Sequence, residues 1–131
     1  MRNAANFLIS LTVAVLLTAC ASAFQRPDAS ANFGNPPQGY EEAIKAHFDQ
    51  VLKDPESARY RFSRPIKAYT NEGLAYGGKV SWVGYLVDVQ VNAKNSFGGY
   101  VGFKPYMLLF SGNSVGSKIE GSDHVLIHRM E

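Results

Sequence analysis

Gly112-Asn113-Ser114-Val115-Gly116 has the Gly-x-Ser-x-Gly spacing of a hydrolase nucleophile, with Asp123, His124 and His128 downstream as acid and base. That chemistry needs the serine on a sharp strand-to-helix turn in a parallel sheet, which lifts the hydroxyl toward an oxyanion hole. Here the serine lies in a glycine-rich turn followed by Lys118-Ile119-Glu120-Gly121, which starts no helix. His124 and His128 have the spacing of two metal ligands on a helix, but Val125-Leu126-Ile127 between them favours a strand. Four residues of strand hold the rings about 13 Å apart, too far for one ion. Asp49, Asp54 and Glu56 border a helix end, where carboxylates serve as caps, and His47 is the edge of an apolar stripe. The residue types therefore assign no catalytic residue, no metal ligand and no cofactor.

One residue does carry chemistry. Cys20 closes Leu17-Thr18-Ala19-Cys20 after a largely apolar run over 7–19 with Arg2 ahead of it. The run is too short to span a bilayer and ends in small residues at a processing site, as in a signal peptide. Before a cysteine, the pattern resembles the lipobox of bacterial lipoproteins, which implies cleavage after Ala19 and acylation of Cys20. Cleavage near Ala23 as a simple secretory signal is the rival, since Ala21-Ser22-Ala23 is also small-x-small. Cys20 is the chain's only cysteine and has no partner for an internal disulfide, which favours lipidation. In lipoproteins with the usual sorting, a residue such as Ala21 after the cysteine implies outer-membrane anchoring with the domain in the periplasm; the inner membrane is the alternative.

The elements that must position anything further begin after a tether. Residues 21–39 are rich in Ala, Ser, Asn and Gly, with Pro27, Pro36 and Pro37 and only two phenylalanines. A coil of this length has an end-to-end distance of about 24 Å, enough to clear lipid headgroups. A free leash is the expectation, with docking of Phe24 and Phe33 on the domain as the alternative. Loss of Arg2 leaves twelve basic against eleven acidic residues. Near-neutral charge without a basic stripe argues against a nucleic-acid partner. The cluster Arg59, Arg61, Arg64 and Lys67 alternates with apolar residues and reads as the solvated side of a strand rather than an anion site.

Residues 40–131 form one domain. Tyr40, Ile44, Phe48, Val51 and Leu52, flanked by Ala43 and His47, follow the helical period and predict a helix ending near Lys53, since Pro55 forbids continuation. Asp54-Pro55-Glu56-Ser57 reads as a cap with proline at a first helical position. Strands are expected at 60–69, broken at Pro65, then at 79–93, 99–110 and 124–130. The fold class is α+β: an N-terminal helix on a four-stranded antiparallel sheet, a meander.

Pairing residues 79–93 with 99–110 so that their numbers sum to about 192 leaves 94–98 as the loop. Val83, Val87, Val89 and Val91 then share a face with Val101, Phe103, Pro105, Met107 and Leu109, while Asp88 meets Lys104, Leu86 meets Tyr106 and Trp82 meets Phe110. Pro105 calls for a bulge or break. In this register Trp82, Leu86, Tyr106 and Phe110 form an exposed apolar face, a mark of an interface.

Asn92-Ala93-Lys94-Asn95-Ser96-Phe97-Gly98-Gly99-Tyr100-Val101-Gly102-Phe103, preceded by Leu52-Lys53-Asp54-Pro55-Glu56-Ser57-Ala58, resembles a family of small uncharacterised proteobacterial secreted proteins and lipoproteins. The resemblance spans about residues 50–110. Its members often carry a cysteine just before the Asn-Ala-Lys-Asn stretch; Leu86-Val87-Asp88-Val89-Gln90 has none, so no disulfide or thiol role carries over. The resemblance implies location and fold and brings no reaction.

In the loop, Asn92, Lys94 and Asn95 offer donors, Phe97 and Tyr100 flat apolar surface, and Gly98 and Gly99 close backbone approach. The same residues satisfy a demanding turn, and the structural use competes with the functional one. With Trp82 and Tyr106 they are the candidate binding residues. The expected function is that of a lipid-anchored envelope protein, a non-catalytic binding module for a protein or cell-wall glycan such as peptidoglycan; the alternative is a small cell-wall hydrolase or hydrolase inhibitor.

Overall fold

The computed structural model describes residues 24–130. Cys20 and the expected signal peptide lie outside them. Helix α1 spans Tyr40–Asp49, and six strands follow: β1 Arg59–Phe62, β2 Ile66–Asn71, β3 Val80–Asn92, β4 Lys104–Ser111, β5 Ser114–Glu120 and β6 Ile127–Arg129. The class is α+β with a mostly antiparallel sheet, but the order β5-β4-β3-β2-β6, with β1 also on β3, is not a four-strand meander. No helix among the described residues is long and apolar enough to cross a membrane.

β3 is the spine. One of its edges pairs with β4; the other takes β2 along Val80–Leu86 and β1 along Val89–Asn92. Pro65, without an N–H, falls between β1 and β2 and divides the expected first strand in two. β5 was not expected as a strand. It turns back from β4 through Gly112-Asn113, with Gly112 at φ 60°, so Gly-x-Ser-x-Gly is a two-residue hairpin turn that enters an edge strand.

The β3–β4 register departs from expectation. Leu86 pairs with Leu109, Asp88 with Met107 and Val91 with Lys104, three residues from the predicted alignment. An odd shift exchanges the faces of β4. Val87, Val89 and Val91 share a face with Leu108 and Phe110, over which α1 lays Ile44 and Phe48. Leu86, Met107, Leu109, Ala68 and Ile127 form a second core on the opposite face, with Trp82, Ile66 and Ile119 at its margin. The predicted pairs Asp88–Lys104, Leu86–Tyr106 and Trp82–Phe110 do not form, and the supposed exposed face is not exposed: Leu86 and Phe110 are buried, and Tyr106 lies under α1. Met107-Leu108-Leu109-Phe110 is buried on both sides, so alternation could not select the register. Pro105 stands second in β4 and causes no bulge; the irregularity falls between Leu109 and Phe110.

The chain passes from β5 to β6 over the second core. Gly121 N donates to Pro105 O, and Arg129 on β6 donates to Ser122 O and to both carboxylate oxygens of Asp88 on β3, at 2.6 and 3.2 Å.

Residues 24–39 carry no regular structure yet lie against the sheet, unlike a free leash. Phe24 meets His128 on β6, Phe33 lies 5.4 Å from Lys67 Nζ on β2, Pro37 is buried, and Gln38 N donates to Asn113 Oδ1. Buried Asn71 fastens the beginning of this strap: its Nδ2 donates to Gln25 O and Gly78 O, while Gln25 N donates to Gly78 O.

Candidate functional site

The hairpin 93–103 stands at the far end of β3 from Asn71. Its shape is dictated by its own side chains. Asn95 Oδ1 accepts from Phe97 N and Gly99 N, folding the tip into an Asx-type turn, and Gly98 takes φ 79°. Asn92 Oδ1 accepts from Gly102 N, where φ 95° suits only glycine, and so fastens the returning chain. Lys94 and Tyr100 bridge.

The base of the hairpin is pinned to the 3-10 turn Pro55–Ser57, which Asp54 caps through Ser57 N, as the sequence indicated. Ser57 Oγ accepts from Lys94 N, Ser57 O accepts from the Tyr100 hydroxyl, and Lys53 Nζ donates to Ser96 Oγ at 2.8 Å. Arg59 stacks on Tyr100 at 4.3 Å and Arg61 on Phe103 at 3.8 Å. The basic strand side is therefore engaged with aromatic faces. Asn92, Asn95, Gly98 and Tyr100 thus have structural uses. Phe97 is 97 % exposed at the tip of this fixed frame.

Beside the tip, a cleft of about 190 Å3 opens between the end of α1 and the hairpin. Val51, Leu52, Val91, Ala93, Val101 and Tyr106 give it apolar walls; Lys53, Lys94 and Lys104 give it a cationic rim. The sequence singled out Lys94, Asn95 and Tyr106 but missed Lys53, Lys104, Val51 and Val101, because the cleft joins two distant segments. Trp82 is not part of it: its indole lies over Gly84 on the other face, packed on the second core. Among the expected binding residues, Asn92, Lys94, Asn95, Phe97, Gly98, Gly99 and Tyr100 come together in the hairpin, Tyr106 joins through the cleft wall, and Trp82 stands apart.

A second hollow, about 390 Å3, lies on the Trp82 face and is lined by Arg61, Asp88, Gln90, Ser122 and Arg129. Asp88 is spent on Arg129, and Arg61 on Phe103, so its charged groups already hold the fold together.

The enzyme-like residues do not converge. Ser114 opens β5 opposite Ser111, His124 Nδ1 accepts from Leu126 N, and His128 stacks on Tyr69 at 4.9 Å. His47 packs edge-on against Phe48, and burial, reinforced by Lys118, lowers its pKa below the ordinary histidine value. Among the described residues no hydrogen bond joins Ser114 to a histidine or carboxylate, and no three His, Cys, Asp or Glu side chains cluster as metal ligands. Comparison with protein-family models, curated proteins and solved structures yields no match.

Proposed function

We propose that this chain is a lipid-anchored envelope protein, held through acylated Cys20 with its domain in the periplasm, that recognises a partner without catalysis. The observation that carries recognition is Phe97: an aromatic ring almost wholly in water, on a loop whose turns, base and flanks are each hydrogen-bonded into place. A large apolar side chain carried on a fixed backbone costs little loop-ordering entropy on binding and serves as an anchor. The neighbouring cleft supplies the complement, apolar walls for a side chain and Lys53, Lys94 and Lys104 for carboxylates. The chemistry fits a carboxylate-bearing protein segment or the peptide stem of peptidoglycan.

The test is photocrosslinking in cells from position 97, with isolated sacculi offered separately for co-sedimentation. One dominant adduct, or sedimentation with sacculi, is expected, weakened several-fold by Lys104→Glu on the cleft rim. A blank lane from position 97 together with no sedimentation, in a chain that remains folded, refutes recognition by this end.

A further inference from the structure

The end of the sheet opposite the hairpin carries a cluster of its own. Between β2 and β3, Leu74–Tyr76 forms a single 3-10 turn in which Leu74 is 54 % and Tyr76 78 % exposed. Val125, 71 % exposed, is one residue before Leu126, whose carbonyl accepts from Asn71 N at the close of β2. Among the described residues, three large apolar side chains are therefore exposed at one end of the domain.

The chain enters at this end. Gln25 is bound to Gly78, two residues past that turn, and to Asn71. Only residues 21–24 separate Gln25 from Cys20. A fully extended chain covers at most about 3.6 Å per residue, so the backbone of Cys20 lies within about 18 Å of that of Gln25. While the strap is docked, the domain cannot swing out by the reach of a nineteen-residue leash, and this end is the one held against the lipid.

We propose that Leu74, Tyr76 and Val125 form a membrane-contact tip that enters the headgroup region of the bilayer in which Cys20 is anchored. This rests on the anchoring read for Cys20. Tyrosine suits that depth, with an apolar ring and a hydroxyl that stays wet. Arg26 and Lys79 stand nearby, but so do Glu72 and Asp123, and the mixed charge makes apolar insertion rather than attraction to anionic lipid the driving force. A zwitterionic membrane suffices. The contact fixes orientation: β3, twelve steps of about 3.3 Å, directs the Phe97 loop about 40 Å away from the bilayer.

The experiment uses the full chain, matured in cells and reconstituted into phosphatidylcholine vesicles, with a nitroxide at Tyr76→Cys or, separately, at Phe97→Cys. Both positions are exposed, so neither label disturbs the core. Collision with oxygen exceeding collision with a nickel chelate at position 76, and the reverse at position 97, is the expected result. Equal aqueous accessibility at both, in protein whose N-terminal peptide has the mass of acylated Cys20, overturns the contact tip while leaving the anchor intact. An unmodified Cys20 overturns the anchor and the tip with it.

Discussion

Gly84 is the residue on which the Trp82 face depends. A methyl group at this position would overlap Cζ2 of the Trp82 indole, which lies flat over the glycine and covers part of the Leu86 and Ala68 core. Gly84→Ala is expected to push the indole off the sheet and destabilise the fold by about 1–3 kcal/mol, the usual cost of overpacking. Trp82 is the only tryptophan, so urea titration followed by its fluorescence reads both effects, and an unchanged midpoint would contradict the packing. His47 sets a dependence on pH. Its Nε2 is buried without a partner, and burial together with Lys118 lowers the folded-state pKa. The unfolded ring gains a proton as pH falls through about 6.5, whereas the folded ring resists it. The favourable contribution is therefore complete above that value and is lost as pH drops toward the lower folded pKa. Wild type is expected to lose more stability than His47→Leu between about pH 7.5 and about pH 5, a range that brackets ordinary histidine titration; parallel losses in denaturant midpoints would remove His47 as the cause.

The strap and the hairpin are the elements whose behaviour decides whether the domain is held or loose. Asn71 is the clamp, donating to Gln25 and Gly78 at 2.8 and 2.9 Å from a buried position. Asn71→Ala removes both bonds, leaving Gln25 O without its donor while Gly78 O keeps Gln25 N, and should cost about 1–3 kcal/mol. Chymotrypsin cleavage after Phe33 should accelerate markedly while the sheet tyrosines stay protected; unchanged cleavage would place the clamp elsewhere. Composition suggested a leash because prolines, asparagines and small residues compose both a free chain and one laid in extended form along a sheet. Phe24 and Phe33 were the only signal that separates the two. The helix was readable because Ile44 and Phe48 recur at its period, and the cap of the 3-10 turn because Asp54-Pro55 admits few geometries. The register of β3 with β4 was not readable. The tip lies one position later than expected, closed by Lys94–Tyr100, and one further residue enters between that bridge and Val91–Lys104, where Gly102 takes φ 95°. β5 escaped because Ser114, Gly116, Ser117 and Lys118 leave only Val115 and Ile119 apolar, the composition of a solvated edge strand.

At the scale of the molecule, the hairpin's residue types were legible in advance while the cleft was not, since Val51 and Lys53 meet Val101 and Lys104 only after α1 docks on β3 and β4. The same arrangement has a mechanical consequence. On the proposed reading, tension between an anchored Cys20 and a partner at Phe97 would enter at Gln25 and leave through Asn92, and β3 connects these two places. The pull runs along the strand, so the ladders to β2 and β4 are loaded in shear, with all their hydrogen bonds resisting together. The contacts of Gln25 with Gly78 and Asn71 are few by comparison and yield first. Under load the strap would peel from the sheet before the sheet itself gave way, paying out residues 25–38 as slack between membrane and partner.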